Sequence, residues 1–249
     1  MLIGVCLAFV LVSSHLCTPA SGAENQDVTK EDASSIMRLV AANYAIEVLG
    51  VVGVRSHKEL TISGPMLQRH TSDDAWYVFQ NGALVASSHK ADPRQPPLRE
   101  PYRSEFLGEY SFHLTGKPPR ESGTTSIAFE SLTHDAVHAH GTLVVDDATG
   151  HIMTFTETPY AFVWPTKSGQ FDVAWGGSGS DWYPQHIDGA FMGSVGPFVG
   201  HAQYVETLSS YEHYSNVDTA TSALMRATGE PSVDLDTPAP QPQPQPEPH

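Results

Sequence analysis

Residues 73–90 read DDAWYVFQNGALVASSHK, and the Asn81-Gly82 pair at their centre decides how this part of the chain folds. A two-residue type I′ turn needs positive φ at both of its central positions, and Asn-Gly is the pair that adopts them most readily. Residues of high strand propensity lie on both sides of the pair. We therefore predict a β-hairpin with arms at residues 76–80 and 83–87.

The segments around this hairpin carry similar signals. Val52, Val54, Leu60 and Ile62 occupy even positions, as in a half-buried strand. The proline-rich stretch DPRQPPLREPYR (92–103) is expected to be a surface loop. Beyond it, turn residues separate further strand candidates at 106–114, 126–131, 142–146, 151–158, 170–175, 182–191 and 198–208.

The first element of the folded unit is predicted to be a helix. Thr29 is a suitable N-cap, apolar residues follow at helical spacing, and Gly50 is a suitable stop. The apolar stripe consists of Ile36, Met37, Leu39, Val40, Tyr44 and Val48. The predicted fold class is mainly β with an N-terminal helix: an antiparallel meander of roughly nine to eleven strands, curled into a barrel or half-barrel.

The two ends of the chain differ from the middle. Residues 1–23 begin with the uncharged apolar run MLIGVCLAFVLV and end in Ser21-Gly22-Ala23, a pattern typical of a cleaved signal peptide. The run is too short for a stable membrane span. Both cysteines, Cys6 and Cys17, lie inside this segment, so the mature chain would have none. We expect export to a periplasm or to the outside of the cell, and the alternative is a buried N-terminal segment.

Residues 229–249 read GEPSVDLDTPAPQPQPQPEPH, and from Pro238 to Pro248 they alternate proline with alanine, glutamine or glutamate. Such a segment favours extended polyproline conformations and is expected to be a disordered, solvated spacer. Its alternative role is to bind a protein partner that reads proline-rich segments. The remaining residues, 24–228, are expected to form a single domain.

Charge excludes one class of partner. Asp and Glu outnumber Lys and Arg by 28 to 13, which gives a formal net charge of −15. The resulting negative field repels nucleic acid, and the sequence contains no basic cluster that would offset it.

Three histidines, His134, His138 and His140, form the densest group of candidate metal ligands. His138 and His140 are two positions apart, which places them on one face of a strand, whereas the spacing of His134 suits a helix. We predict that the three do not form a tight zinc site. A metal-dependent enzyme or metal carrier that uses them is the alternative.

No other pattern predicts catalysis. The sequence has no G-x-S-x-G motif, and GGSGSDW (176–182) is typical of a hairpin loop. The adjacent carboxylates Asp73-Asp74 and Asp146-Asp147 occupy expected turns, where aspartate bonds its own backbone. We therefore expect no catalytic residue, no cofactor and a non-enzymatic protein.

The order of elements resembles a known family. A helix followed by a long antiparallel meander is similar to the periplasmic carriers and receptors of outer-membrane lipoproteins, the LolA/LolB-like superfamily. The supporting stretches are GTLVVDDATGHIMTFTET (141–158), WYPQHIDGAF (182–191) and AQYVETLSSYEHY (202–214). The resemblance implies an open half-barrel closed by helices, whose apolar hollow accepts acyl chains.

The resemblance and the aromatic residues together suggest a ligand site. We expect an apolar small molecule or lipid to contact a set of strand residues: Trp76, Val78, Phe112, Phe129, Phe155, Phe171 and Trp175. The alternative is a structural or scaffold domain in which the same side chains fill a core, because burial against protein and burial against lipid require the same residue types.

Overall fold

The computed structural model describes residues 23–65, 67–89, 97–115, 123–162, 164–179 and 181–229. The expected signal peptide, apart from Ala23, and the proline-rich tail after Gly229 lie outside this range. The described chain forms helix α1 (Ala23–Glu47), ten strands and helix α2 (Val217–Thr228). The strands are β1 Val51–Gly64, β2 Leu67–Gln80, β3 Ala83–Ser87, β4 Tyr110–Leu114, β5 Thr124–Ser131, β6 Ala139–Asp146, β7 Ile152–Pro159, β8 Thr166–Ser178, β9 Asp181–Val195 and β10 Phe198–Tyr214.

All ten strands belong to one open antiparallel sheet with the order β3-β2-β1-β10-β9-β8-β7-β6-β5-β4. Every neighbouring pair is consecutive in sequence except β1 and β10, so the first three strands lie beside the end of a seven-stranded meander. The predicted fold class is confirmed: the chain is mainly β, antiparallel, and begins with a helix. The ten described strands also fall within the predicted number.

Directly opposed residues in neighbouring strands point to the same face of a sheet, which lets its two faces be traced. A continuous series of opposed pairs runs from β7 to β2: Phe155–Val173, Val173–Ile187, Ile187–Glu206, Glu206–Lys58 and Lys58–Asp73. We call the face that carries these residues the inner face. Residues of the other parity lie on the outer face.

Helix α1 packs on the inner face over the β4 side of the sheet. Its buried residues Ala33, Met37, Val40 and Ala41 follow helical spacing. They face a core that includes Tyr102, Tyr110, Ile127, Leu143 and Val145. The helix begins at Ala23, earlier than the predicted cap at Thr29, and ends at Glu47, three residues before the predicted stop.

The end of α1 is fixed by polar contacts. His151 Nδ1 lies 2.6 Å from the buried Glu47 carboxylate, and the Tyr183 hydroxyl donates to the Glu47 carbonyl at 3.1 Å. Burial raises the pKa of Glu47, and the hydrogen bond from His151 opposes that rise. The Asn43 amide adds a bond to the Thr149 carbonyl at 2.7 Å. These bonds hold the C-terminal part of the helix to the sheet.

Helix α2 covers the opposite side of the molecule and was not predicted. Ala220 and Leu224 bury against Val51, Trp76 and Val78 on the outer face. The Asn216 side chain accepts a hydrogen bond from the Thr219 N–H, and Gly229 ends the helix in the left-handed conformation. The sequence signals were an Asx cap, apolar residues four apart and a terminal glycine.

The Asn81-Gly82 hairpin is confirmed. Both residues have positive φ, 49° and 77°, and the turn joins β2 to β3. The Asn81 side chain also accepts a hydrogen bond from the Gly50 N–H at 2.9 Å, and the Asn81 N–H donates to the Gly50 carbonyl at 2.8 Å. The turn therefore anchors the segment that leads from α1 into β1.

Candidate ligand-binding face

Four of the seven predicted ligand-binding residues lie in the core beneath α1. Phe112, Phe129, Phe155 and Trp175 are only 2–7% exposed. The Phe129 and Phe155 rings stack with centroids 5.4 Å apart, and Tyr102 contacts both Phe155 and Trp175 edge-on. Their surroundings are protein side chains, so these four residues build the layer between helix and sheet.

Trp76 and Val78 lie on the other side of the sheet. Both belong to the buried cluster that α2 covers. Both are at even positions of β2, whereas Asp73, which lies on the inner face, is at an odd position. Since side chains alternate along a strand, Trp76 and Val78 lie on the outer face. The structure therefore does not bring these two residues together with the other five.

Phe171 is the predicted residue that remains half-buried on the inner face, on the part of β8 before Trp175. Its ring meets Phe191 edge-on with centroids 4.9 Å apart. Phe191 was not predicted as a site residue, although alternation along β9 assigns it to the same face as Ile187. Ala202 lies opposite both Phe191 and Ile62. We call Leu60, Ile62, Phe171, Phe191 and Ala202 the inner strip.

Glycines form the floor of the inner strip. Phe191 lies opposite Gly169 and Phe171 lies opposite Gly189. A Cβ atom at Gly169 would come within 2.1 Å of the Phe191 ring, and one at Gly189 within 2.7 Å. The ring of Phe191 therefore lies directly on the backbone of two strands, a position that only glycines allow.

A polar cluster borders the strip on β1, β2 and β10. Glu206 is 5% exposed, and its carboxylate accepts hydrogen bonds from Ser56, Tyr77 and Tyr204. Lys58 Nζ lies 3.9 Å from the same carboxylate and 4.9 Å from the centre of the Tyr77 ring. Burial and the Glu206 charge raise the pKa of both tyrosines, so their hydroxyls stay protonated at neutral pH.

Two carboxyl groups have raised pKa values: Glu157 on β7, and Glu100, whose side chain is 33% exposed. Glu157 is directly opposite Phe171, and its Oε2 is buried without a hydrogen-bond partner among the described residues. Burial, with a contribution from Glu100, raises the pKa of Glu157 to about 8. Burial likewise raises the pKa of Glu100 to about 7, although Arg103 opposes this rise. At neutral pH both groups therefore exist partly or mainly in the uncharged form.

The histidine cluster is divided between two environments. His138 is buried, with Nδ1 2.7 Å from Asp135 and Nε2 2.7 Å from Glu109. Arg99 and then His138 hold the pKa of Glu109 below its usual range. His134 and His140 instead lie against the ring of Tyr160, at centroid distances of 4.0 and 4.9 Å.

The structure contains no group of three or more His, Cys, Asp or Glu residues arranged for a metal ion within its described ranges. Both ring nitrogens of His138 already contact carboxylates, which accounts for its burial without a metal. The absence of tight zinc binding stays a prediction.

A serine, a histidine and an aspartate come together on the outer face of β1 and β2. Ser72 Oγ lies 3.2 Å from His57 Nε2, and His57 Nδ1 lies 2.7 Å from Asp74. However, the side chains of His57 and Asp74 are 50% and 77% exposed, and Glu59 lies 3.5 Å from the same Nε2. Activation of a serine depends on preorganised dipoles in a site that excludes water. We therefore interpret Ser72, His57 and Asp74 as polar side chains that hydrogen-bond to each other on the protein surface.

Comparisons with known proteins give matches among solved structures only. No family model and no curated protein matches the chain. A LolA superfamily protein from Nitrosomonas europaea aligns over 75% of this chain and 96% of its own, with 10% identity and a TM-score of 0.39. A domain from Vibrio parahaemolyticus assigned to outer membrane lipoprotein sorting aligns over 79% of this chain and 99% of its own, with 8% identity and a TM-score of 0.41.

The complex of MucA and MucB from Pseudomonas aeruginosa also matches, over 72% of this chain and 94% of the aligned one, with 9% identity and a TM-score of 0.29. The family named from the order of elements is thus present among the matching structures.

Within the residues that the structure describes, neither helix is long and apolar enough to cross a membrane.

Proposed function

We propose that this protein is an exported, non-enzymatic carrier that binds an apolar ligand on the inner strip. The ligand class is a lipid, the acyl chain of a lipoprotein, or another molecule of similar shape and polarity. The single observation that supports this most is the set of partly buried apolar side chains of Leu60, Ile62, Phe171 and Phe191, which lie on one face of the sheet beside the buried core. Contiguous apolar surface that is still accessible to solvent is a feature of binding sites.

The driving force would be removal of this surface and of the acyl chain from water. Burial contributes about 25 cal/mol per Å² of apolar area, from which the cost of association is subtracted. Because the Phe191 ring lies flat on Gly169 and Gly189 and meets Phe171 edge-on, the two rings offer an apolar surface that suits a long, unbranched chain.

Uptake of the fluorescent dye N-phenyl-1-naphthylamine, and its displacement by palmitate, test the proposal. We expect the wild-type protein to bind the dye and the variants Phe171→Asp and Phe191→Asp to bind it at least about tenfold more weakly, since a charge on the strip opposes burial of the dye. Leu84→Asp is the matched control, because Leu84 is 49% exposed on the edge strand β3. Equal binding by all four proteins would refute a site on the inner strip.

A structural or scaffold domain is the second candidate. The observation that favours it is the dense packing of Phe112, Phe129, Phe155 and Trp175 beneath α1. Organic extraction of the purified protein followed by mass spectrometry separates the two functions. A carrier should retain co-purified lipid, whereas a scaffold should retain none.

The metal-dependent alternative has its own test. Metal analysis of protein purified without an affinity tag should find less than one equivalent of zinc. A full equivalent that disappears in the His138→Ala, His140→Ala double variant would instead support a metal-dependent enzyme or metal carrier.

A further inference from the structure

Two hairpin ends lie side by side at one end of the sheet. Because β1 pairs with β10, the end of the β1–β2 hairpin adjoins the end of the β9–β10 hairpin, with Ser63 opposite His201. Five large apolar side chains in this region are each 40–54% exposed. We call them the apolar tip: Leu67, Met192, Val195, Phe198 and Val199.

The apolar tip extends over both faces of the sheet. Val195 and Phe198 are opposed to each other and share the inner face with Ala202, whereas Met192 and Val199 have the other parity. Strands with one solvated face alternate apolar and polar side chains, and strands that are apolar on both faces normally have apolar surroundings on both sides. The end of this hairpin instead exposes large apolar side chains on both faces, and on the outer face Ser194 and His201 lie among them.

Charge distribution sets the tip apart from the rest of the chain. The formal net charge of the protein is −15, yet residues 189–204 contain no Asp, Glu, Lys or Arg. In residues 60–70 the one such residue is Arg69. An approach of this end to lipid headgroups would bring no carboxylate close to their phosphates, whereas most of the remaining surface would be repelled.

The tip is also continuous with the inner strip. On the inner face of β10, the next residue with a side chain after Phe198 is Ala202, which lies between Ile62 and Phe191 on the neighbouring strands. Between tip and strip, this face carries Gly200 opposite Gly193, so no polar side chain of β9 or β10 lies on the path of an acyl chain from one to the other.

We propose that the apolar tip docks on the surface of a lipid bilayer, with Phe198 and Val195 entering the boundary between headgroups and acyl chains. This inference rests on the proposed function and names its partner. A bilayer fits better than a folded protein surface, because the apolar residues surround the hairpin end instead of forming one flat face.

Flotation of the full-length mature protein with phosphatidylcholine vesicles tests the proposal. We expect the wild-type protein to float with the vesicles. Val195→Asp and Phe198→Asp should lower the bound fraction at a given lipid concentration by about tenfold, because a charge resists transfer toward the bilayer. Leu132→Asp is the matched control, since Leu132 is 69% exposed and follows β5, far from the tip in strand order.

Three results would overturn the proposal. The first is a wild-type protein that does not float with vesicles, and the second is equal flotation of wild-type, tip and control variants. The third is a wild-type protein that does not bind vesicles and sediments as a dimer, where Phe198→Asp converts the dimer to a monomer. This result would identify the tip as a contact between two copies. Circular dichroism checks that each variant folds. If an aspartate variant does not fold, the single variants Phe198→Ser and Val199→Ser are tested in its place.

Dye uptake keeps this inference separate from the proposed function. The tip variants should bind N-phenyl-1-naphthylamine like the wild-type protein, because the inner strip is intact in them. A protein that docks through the tip but never binds the dye would refute the carrier function and support the docking surface. Dye binding without vesicle binding would refute the docking surface alone.

Discussion

Single residues define how closely the strands approach each other and where charge is buried. Gly141 on β6 lies directly opposite Glu157 on β7. A Cβ atom at this position would come within 1.9 Å of the Thr156 carbonyl oxygen, a backbone atom that cannot move without disturbing the sheet. The sequence predicted a strand from residue 142 only, whereas β6 begins at Ala139, and the close contact of Gly141 depends on the neighbouring strand, which local patterns do not reveal.

Gly141→Ala should lower the free energy of unfolding by about 1–3 kcal/mol or more, the usual cost of forcing an atom into a filled space. Urea denaturation followed by tryptophan fluorescence measures the loss. Gly108→Ala is the control, since no atom lies within 4 Å of a Cβ built there. A Gly141→Ala protein as stable as the control would show that β6 and β7 are farther apart than described.

The carboxyl groups of Glu157 and Glu100 give stability a pH dependence of defined sign, and the smaller share comes from Glu100, whose side chain is 33% exposed. Burial raises their pKa values from an ordinary 4.5 to about 8 and about 7. Between these limits the folded protein binds more protons than the unfolded chain, so the free energy of unfolding falls as pH rises from about 4.5 to about 8. Urea denaturation at several pH values should therefore find the protein more stable at the acidic end of this window.

Glu157→Gln should flatten this dependence, because the amide cannot ionise. Glu105→Gln is the control: burial alone would raise the pKa of Glu105, but its own backbone N–H and Arg103 lower it below 4.5. A Glu157→Gln profile that remains as steep as that of the wild-type protein would mean that Glu157 ionises normally in the fold.

Among the elements, those bounded by local signals were predicted best. The β2–β3 turn and the leading helix depend on residues next to each other in sequence. The lengths of the long strands were underestimated: β2 begins at Leu67 instead of residue 76, and β9 continues to Val195 instead of ending at residue 191. Backbone pairing continues in both places through side chains that do not alternate, so periodicity gives no indication of it.

The Asn81 turn allows a graded test of one element. Asn81→Gly keeps the positive φ but removes the bond to the Gly50 N–H, at a cost of about 0.5–1.5 kcal/mol. Asn81→Pro should cost clearly more, because its ring fixes φ near −65° and it lacks the N–H that bonds the Gly50 carbonyl. Thermal unfolding compares the two variants with the wild-type protein, and equal losses would contradict the role of backbone conformation.

At the scale of the whole molecule, the sequence predicted the antiparallel architecture but not how the site residues divide between layers. Aromatic residues on strands are expected to be buried. The face of the sheet on which each one lies, together with the strand order, determines which helix covers it. Trp76 therefore packs against α2 while Phe155 packs on the α1 side. Phe171 was predicted as a strand residue that contacts a ligand, and its role in binding stays a prediction. Its partner Phe191 depends on the pairing of β8 with β9, which composition cannot reveal.

Export is the remaining prediction for the whole chain. We expect a mature protein that begins at Glu24, because Ser21-Gly22-Ala23 ends a signal-like segment. Cleavage there would remove one residue of α1, which begins at Ala23. Intact-mass analysis of the native protein measures this directly, and a protein that keeps Met1 in the cytoplasm would contradict it.

The pairing of β1 with β10 also determines the order in which the protein can fold. During synthesis β1 to β3 emerge early, but the partner of β1 is the last strand, so one edge of β1 stays open until almost the whole chain is available. Contacts between such distant segments make folding slow, and an open strand edge promotes aggregation. We therefore expect the first hairpin to be the part of the chain most prone to aggregation until β10 pairs with β1 and α2 covers the outer face there.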